Sequence, residues 1–273
     1  MKAAVLGSPV GHSLSPVLHR AAYRALGLTG WSYEAIECDE ARLPGVLAGC
    51  GPDWAGLSLT MPLKRAVLPL LDETEPLATA VGAANTVVLS GGRRLGYNTD
   101  VPGLVTALTE AGVSAPGEVL VLGAGATACS ALAALARLGT GPITVAVRDA
   151  GRAGGLLAAA QRLAAEVTLT GLEQAAQARP GLLVSTLPSG AADFLAAQWA
   201  AGAPVPPQVL DVVYHPWPTA LAAAAGAAGS LVVSGYELLL QQAAGQVALM
   251  TGRPAPVAAM RAAGLAALAA VAR

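Results

Sequence analysis

The chain has 273 residues, enough for one large domain or two of ordinary size around a substantial core. It is 54% hydrophobic and 12% charged, with 16 basic against 17 acidic side chains and a formal net charge of -1. Near-neutrality removes the electrostatic reason to expect a nucleic-acid or anionic-membrane partner, and an aromatic share of 4% offers no stacking platform for bases. The opening KAAVLG reads as a short buried strand, and Gly and Pro follow it too soon for a signal-peptide core. SPVLHRAAYRALG then predicts a helix, with Ser15 as N-cap, Pro16 at the first helical position and Gly27 as the stop. WSYEAIEC alternates like a strand, EARLPGVLAGC suggests a short helix, and WAGLSLT is a further strand ending at Met61-Pro62. LKRAVLPLLD and ETEPLATAVGA predict helical turns, and NTVVLSGGRRLGYNTD has the form of a hairpin turning at Ser-Gly-Gly.

From about residue 101 the rhythm becomes regular β–α alternation. EVLVLG, ITVAVRD, LLVST, QVLDVVY and SLVVSG predict strands separated by alanine-rich helices, the pattern of a parallel doubly wound sheet. The uncharged stretch VLVLGAGATACSALAALA is broken by glycines and small polar residues, as a strand–turn–helix unit is and a membrane span is not. YELLLQQAAGQVALMTG and VAAMRAAGLAALAAVA predict two closing helices. The α/β chain thus divides near residue 100: an N-terminal domain over 1–100 completed by helices within 236–273, and a Rossmann-like domain over 101–235. Cys38, Cys50 and Cys129 are odd in number and fit no metal-ligand spacing, so they read as reduced thiols in a cytoplasmic protein.

EVLVLGAGATACSALAALARLG matches G-x-G-x-x-A at Gly123, Gly125 and Ala128, after a strand and at the start of a helix. Gly123 makes the turn, Gly125 admits a pyrophosphate to the backbone, and the helix start around Ala124 and Ala126 offers unpaired N–H groups to phosphate. At the end of the next strand stand Arg148 and Arg152, suited to a ribose 2′-phosphate, and therefore to NADP. Asp149, between them, would instead serve the free hydroxyls of NAD.

The first domain carries the other polar outliers. Ser13 and Ser15 meet on the approach to a helix, where hydroxyls and free N–H groups bind a carboxylate. Thr60 and Lys64 flank the Met61-Pro62 turn. Asn85 begins one hairpin strand and Asn98-Thr99-Asp100 ends the other, so Asn85 and Asp100 are expected in one pocket. Gln242 lies in an otherwise apolar helix.

Taken in order, these motifs resemble those of the shikimate dehydrogenase family along nearly the whole chain. GSPVGHSLSPVLH resembles its opening signature, which implies that Ser13 and Ser15 hold the substrate carboxylate. SLTMPLK is similar to its Asn-Val-Thr-x-Pro-Phe-Lys stretch and places Thr60 and Lys64 at the reacting end. GAANTV and GYNTD correspond to two further signatures, implying Asn85 and Asp100 as hydroxyl ligands. VRDAGR matches the family's Asn-Arg-Thr-x-x-Arg at both arginines. DVVYHPWPTALAAAA contributes Tyr214, and GYELLLQQA resembles Gly-x-Gly-Met-Leu-x-x-Gln, with Gly235 beside the nicotinamide and Gln242 on the substrate. The chain departs from the family's pattern at Arg20, Ser58, Val147, Asp149, Glu237 and Leu238.

The resemblance implies reversible NADPH-dependent reduction of 3-dehydroshikimate, a small carboxylate, to shikimate, while the apolar, alanine-rich composition is compatible with a monomer or a homodimer. Hydride reaches the ketone carbon, and the developing alkoxide needs a cation and then a proton. Lys64 offers both, and Asp100 is expected to hold it while accepting from a substrate hydroxyl. A close lysine–carboxylate pair titrates as a unit, so the proton is assigned to the pair rather than to one member. The alternatives are a quinate/shikimate dehydrogenase preferring NAD and a non-catalytic NADP-binding module, which would have no use for Lys64.

Overall fold

A computed structural model of the chain describes residues 1–113 and 116–271. They form two compact units, one of Met1–Thr99 with Leu239–Arg273 and one of Asp100–Leu238.

The first unit begins β1 (Lys2–Gly7), α1 (Ser15–Ala25), β2 (Ser32–Glu37), α2 (Leu43–Ala48), β3 (Trp54–Leu59) and α3 (Leu63–Ala66). It continues through β4 (Glu73–Thr74), α4 (Pro76–Val81) and the hairpin of β5 (Thr86–Ser90) and β6 (Arg93–Tyr97). The strands make one sheet in the order β2-β1-β3-β5-β6-β4. β1 pairs in parallel with β2 and β3, while β5 runs antiparallel to both β3 and β6. Strands buried on both faces read as continuous apolar runs, and β1 is such a strand. Its Ala4 and Leu6 pack with Leu43, Leu47, Leu57, Leu59 and Leu63 on one face. Ala3 and Val5 pack with Tyr23, Tyr33 and Met250 on the other.

Two local readings of this unit are corrected. Ser15 is the first residue of α1 rather than its N-cap; Leu14 holds that position, and the hydroxyl of Ser13 accepts from the Ser15 backbone N–H at 3.2 Å. Ser13 therefore satisfies the helix start and leaves the buried Ser15 hydroxyl for other partners. Glu73–Thr74, read as part of a helical turn, is a short strand paired in parallel with β6. A two-residue element carries no period, so only its partner reveals it.

The second unit contains α5 (Asp100–Glu110), β7 (Val119–Leu122), α6 (Ala126–Arg137), β8 (Ile143–Val147), α7 (Gly154–Arg162) and β9 (Val167–Gly171). β10 (Leu182–Ser185), α8 (Asp193–Ala200), β11 (Gln208–Asp211), α9 (Ala220–Ala227) and β12 (Leu231–Ser234) follow. All its strands are parallel, in the order β12-β11-β10-β7-β8-β9. Counted from β7, that is the 6-5-4-1-2-3 order of a doubly wound nucleotide-binding sheet, and the order reverses between β7 and β10. β9 is not among the strands expected from the sequence. VTLTG is half-exposed and among the described residues pairs with β8 alone, so it lacks the apolar run that marks the central strands.

The chain closes with α10 (Gly235–Thr251) and α11 (Val257–Val271), residues from Leu239 onward belonging to the first unit, where α11 packs along α1. Among the described residues no helix is long and apolar enough to cross a membrane.

Candidate active site

In the first unit the hairpin brings its two ends together. The Asn85 N–H donates to the Tyr97 carbonyl at 3.0 Å, and the Thr99 N–H donates to Asn85 Oδ1 at 2.8 Å. Asn85 Nδ2 in turn donates to Thr99 Oγ1 at 2.9 Å and to Gln242 Oε1 at 3.2 Å. Asn85 and Gln242, separated by 157 residues of chain, are thus one hydrogen-bonded pair. Lys64 stands half-buried in α3, and its carbonyl accepts from the Ala84 N–H at 2.8 Å, so the root of its side chain is tied to the residue before Asn85. Thr60 follows β3, and its N–H donates to the Leu6 carbonyl at 2.9 Å. A Cβ at Gly7 would collide with the Thr60 methyl, which is why the end of β1 carries glycine. Ser13 is half-buried and Ser15 is buried at the opening of α1.

Behind these groups lies a polar layer that the sequence did not reveal. His19 is fully buried, stacked on Tyr33 at 3.9 Å, and its Nε2 meets Gln246 Oε1 at 3.3 Å. Desolvation pushes its pKa from 6.5 down to about 3, against the opposing hydrogen bond from Gln246. His19 is therefore neutral. Its Nδ1 is buried without a hydrogen-bond partner among the described residues. Tyr33 donates to Ser58 at 2.6 Å, and burial pushes the Tyr33 phenol far up, opposed by hydrogen bonding to Ser58 and Ser15. The signal for this layer would have been polar residues at buried positions of strand and helix: His19, Tyr33, Ser58 and Gln246.

A pH dependence follows from His19. In the unfolded chain it takes up a proton below 6.5, whereas in the folded protein it does so only near 3. The unfolded state binds more protons across that window, so stability must fall as pH falls through it, by up to about 1.4 kcal/mol per pH unit from this group. Urea unfolding of the wild type and His19→Phe between neutral and acid pH should show a shallower acid decline in the variant; identical slopes would refute it.

In the second unit the glycine turn joins β7 to α6 at the strand-order reversal. Gly123 has φ +98°, and a Cβ there would lie 2.8 Å from Thr186 Oγ1, which itself donates to the Leu122 carbonyl at 2.7 Å. Thr186 follows β10, so the turn and the reversal are the same place, where open α/β sheets bind ligands. Gly125 is the N-cap of α6 and has open space where its Cβ would be. Gly125 makes no side-chain cap, so the N–H groups at the helix start suit an anion, and Ala124 and Ala126 lie there half-buried. These residues fit a dinucleotide's pyrophosphate.

Arg148 and Arg152 are exposed just beyond β8. The carboxylate of Asp149 accepts from the Gly151 N–H at 2.9 Å and caps the single turn Ala150–Arg152. The acid that competed for a ribose thus helps to shape the segment bearing the two arginines.

Tyr214 is half-buried in the loop after β11. That loop is pinned by Asp211, a buried carboxylate overlooked in the sequence, which accepts from Thr219 Oγ1 at 2.7 Å and from the Val213 N–H at 3.2 Å. Burial raises the Asp211 pKa, against hydrogen bonds from Thr219, Val213 and Ser185. Thr219 also caps α9 through the Ala222 N–H. Gly235, the first residue of α10, lies so close to the Val212 carbonyl that no Cβ fits there. Asp100 begins α5 and is buried.

A doubly wound sheet with a glycine turn at its switch point defines a dinucleotide-binding protein, and the lysine and amide cluster of the other unit supplies polar groups for a small oxygen-rich substrate. Family models match parts of the first unit and the residues that close the chain. Residues 5–87 match the shikimate dehydrogenase substrate binding domain, and residues 235–263 match the shikimate 5′-dehydrogenase C-terminal domain. The shikimate dehydrogenase (NADP(+)) of Moorella thermoacetica is 36% identical, over 94% of this chain and 90% of that protein. Crystal structures align over nearly the whole chain. Shikimate dehydrogenase of Mycobacterium tuberculosis superimposes with TM-score 0.86 at 47% identity, covering 97% of this chain and 98% of that one. The Thermus thermophilus enzyme in complex with NADP(H) and shikimate gives TM-score 0.84 at 36% identity, covering 98% and 100%. The chain belongs to the shikimate dehydrogenase family.

Proposed function

We propose that this protein catalyses the reversible, NADPH-dependent reduction of 3-dehydroshikimate to shikimate, as an oxidoreductase of aromatic amino-acid biosynthesis. The observation that carries the assignment of groups is the Asn85–Gln242 pair with Lys64 anchored beside it. It provides amide groups for ring hydroxyls on a backbone tied to that of Lys64, whose ammonium a hydroxylated ring ketone requires.

On this reading the first unit, with the helices that complete it, binds substrate, and residues 101–235 bind the coenzyme. Ser13 and Ser15 hold the carboxylate, while Asn85, Thr60, Tyr214 and Gln242 take the hydroxyls. NADPH, when bound, supplies the hydride to the ketone carbon. Lys64 donates to the carbonyl oxygen, stabilises the negative charge that develops there and, with Asp100, supplies the proton that completes the alcohol. Asp100 also accepts from a substrate hydroxyl. Gly123, Ala124, Gly125 and Ala126 hold the pyrophosphate, Arg148 and Arg152 the 2′-phosphate, and Gly235, packed against the Val212 carbonyl, lies beside the nicotinamide.

The partner is a small carboxylate and not a nucleic acid or a membrane, in keeping with a net charge of -1. The free thiols of Cys38, Cys50 and Cys129 suit a cytoplasmic setting, and the protein acts as a monomer or homodimer. Initial rates of coenzyme reduction with shikimate and with quinate, each with NADP and with NAD, test the reading. Shikimate with NADP should be the fastest pair; a preference for quinate or for NAD would overturn the assigned specificity, and no turnover with any pair would overturn the function.

A further inference from the structure

The polar side chains of the first unit are joined by a hydrogen-bond chain that runs in one direction. Tyr33 Oη donates to Ser58 Oγ at 2.6 Å, and Ser58 Oγ donates to Gln246 Oε1 at 2.8 Å. Gln246 Nε2 donates to the Asn85 carbonyl and to Thr86 Oγ1, each at 3.2 Å. Thr86 Oγ1 then donates to Asn85 Oδ1 at 2.9 Å. Each hydroxyl in the middle of the series accepts one bond and passes one on.

The backbone dictates which way round the three amides sit. A carbonyl can only accept, so the Gln246 atom facing the Asn85 carbonyl must be its NH2, and the oxygen is left for Ser58 and His19. A backbone N–H can only donate, so the Asn85 atom facing the Thr99 N–H must be its oxygen, and the NH2 is turned toward Thr99 Oγ1 and Gln242. Gln242 gives its NH2 to the Leu239 carbonyl at 2.8 Å and so presents its oxygen to Asn85. Gln246 lies one helical turn beyond Gln242 on α10, and its bonds to Asn85 and Thr86 hold that stretch of α10 against the start of β5.

We propose that Gln246 is a positioning residue for the substrate site: held by Ser58 on one side, it bonds the Asn85 carbonyl and Thr86 on the other, and so, together with the Thr99 N–H, fixes the Asn85 amide and the approach of Gln242 and sets affinity for the substrate's hydroxyls. The inference rests on the reading of Asn85 and Gln242 as substrate ligands. Gln246 itself is 1% exposed and acts only through its neighbours. A coupled network of this kind transmits the loss of one member to the others, whereas an apolar filler of similar length would keep α10 in place without fixing the amide.

Steady-state oxidation of shikimate at saturating NADP by the full-length protein tests the inference, using Gln246→Met, Ser58→Ala, Ser58→Thr, Asn85→Ala and the combination of each of the first two with Asn85→Ala. Gln246→Met should raise the shikimate KM by about tenfold, the loss of roughly one buried hydrogen bond, with kcat within about threefold and the NADP KM unchanged. Ser58→Ala should act in the same direction, and Ser58→Thr, which keeps the hydroxyl, should stay near wild type. In the Asn85→Ala background the same changes should add less than about twofold, because the amide they orient is gone. A shikimate KM unchanged in both single variants, or raised equally with and without Asn85, would overturn the inference. Should Gln246→Met fail to fold, the Ser58 pair and its combination with Asn85→Ala decide the question alone. A wild type with no shikimate-dependent turnover would instead overturn the functional reading, and this inference with it.

Discussion

Lys64→Ala should lower kcat for shikimate oxidation by roughly 10²- to 10⁴-fold, the range for loss of a positioned acid–base group, while the shikimate KM changes by less than about threefold. The asymmetry follows from when the ammonium matters most. On the proposed mechanism it faces a neutral carbonyl or hydroxyl in the ground state; as hydride moves, the oxygen gains charge, and the interaction strengthens in the transition state alone. The half-buried setting of Lys64 limits screening by water, and the bond from the Ala84 N–H to its carbonyl keeps the side chain's root in register with Asn85. Lys64→Arg should remain deeply impaired although it keeps the charge, because a guanidinium does not release a proton at working pH and its planar fork is shaped for a carboxylate. Steady-state rates for both variants with circular dichroism spectra like wild type are the measurement. Near-wild-type turnover of Lys64→Ala would remove Lys64 from the mechanism.

The second large effect is expected from Arg148→Ala combined with Arg152→Ala. Two guanidiniums on one phosphate make charge-assisted hydrogen bonds, so kcat/KM for NADPH should fall about 10²-fold, while that for NADH should change by less than about threefold. Both arginines are exposed, which places the effect at the lower end of what such contacts contribute and makes it dependent on salt. Asp149 caps the turn between them, so Asp149→Ala should loosen the arginines rather than improve NADH binding. Initial rates with each coenzyme at low and high ionic strength measure this. An equal loss with NADH and NADPH would show that the arginines do not select the coenzyme.

Much of the architecture was legible because it is local. The glycine turn at Gly123 and Gly125 lies between an apolar strand and a helix with small residues, and a short turn can be read from contiguous residues. The hairpin was legible for the same reason, with β5 and β6 joined through Gly91-Gly92. β9 was not, since an edge strand covered on one side has little composition to distinguish it. Ser15 was misread because serine before a Pro-initiated helix is the usual cap, and only the positions of Leu14 and Ser13 show that the cap falls earlier.

The order of motifs along the chain was enough by itself to determine the family and the α/β class, and to name candidate residues for a carboxylate, a ketone and a phosphorylated coenzyme, because each motif is a short stretch whose chemistry does not depend on distant partners. Only the tertiary structure decided how the polar groups are held. Ser58 and Gln246 are 188 residues apart, and each taken alone is an ordinary polar residue in an apolar element. Their roles exist only once β3 and α10 are packed together, because burial removes water as a competing partner and leaves each donor to find its one remaining acceptor.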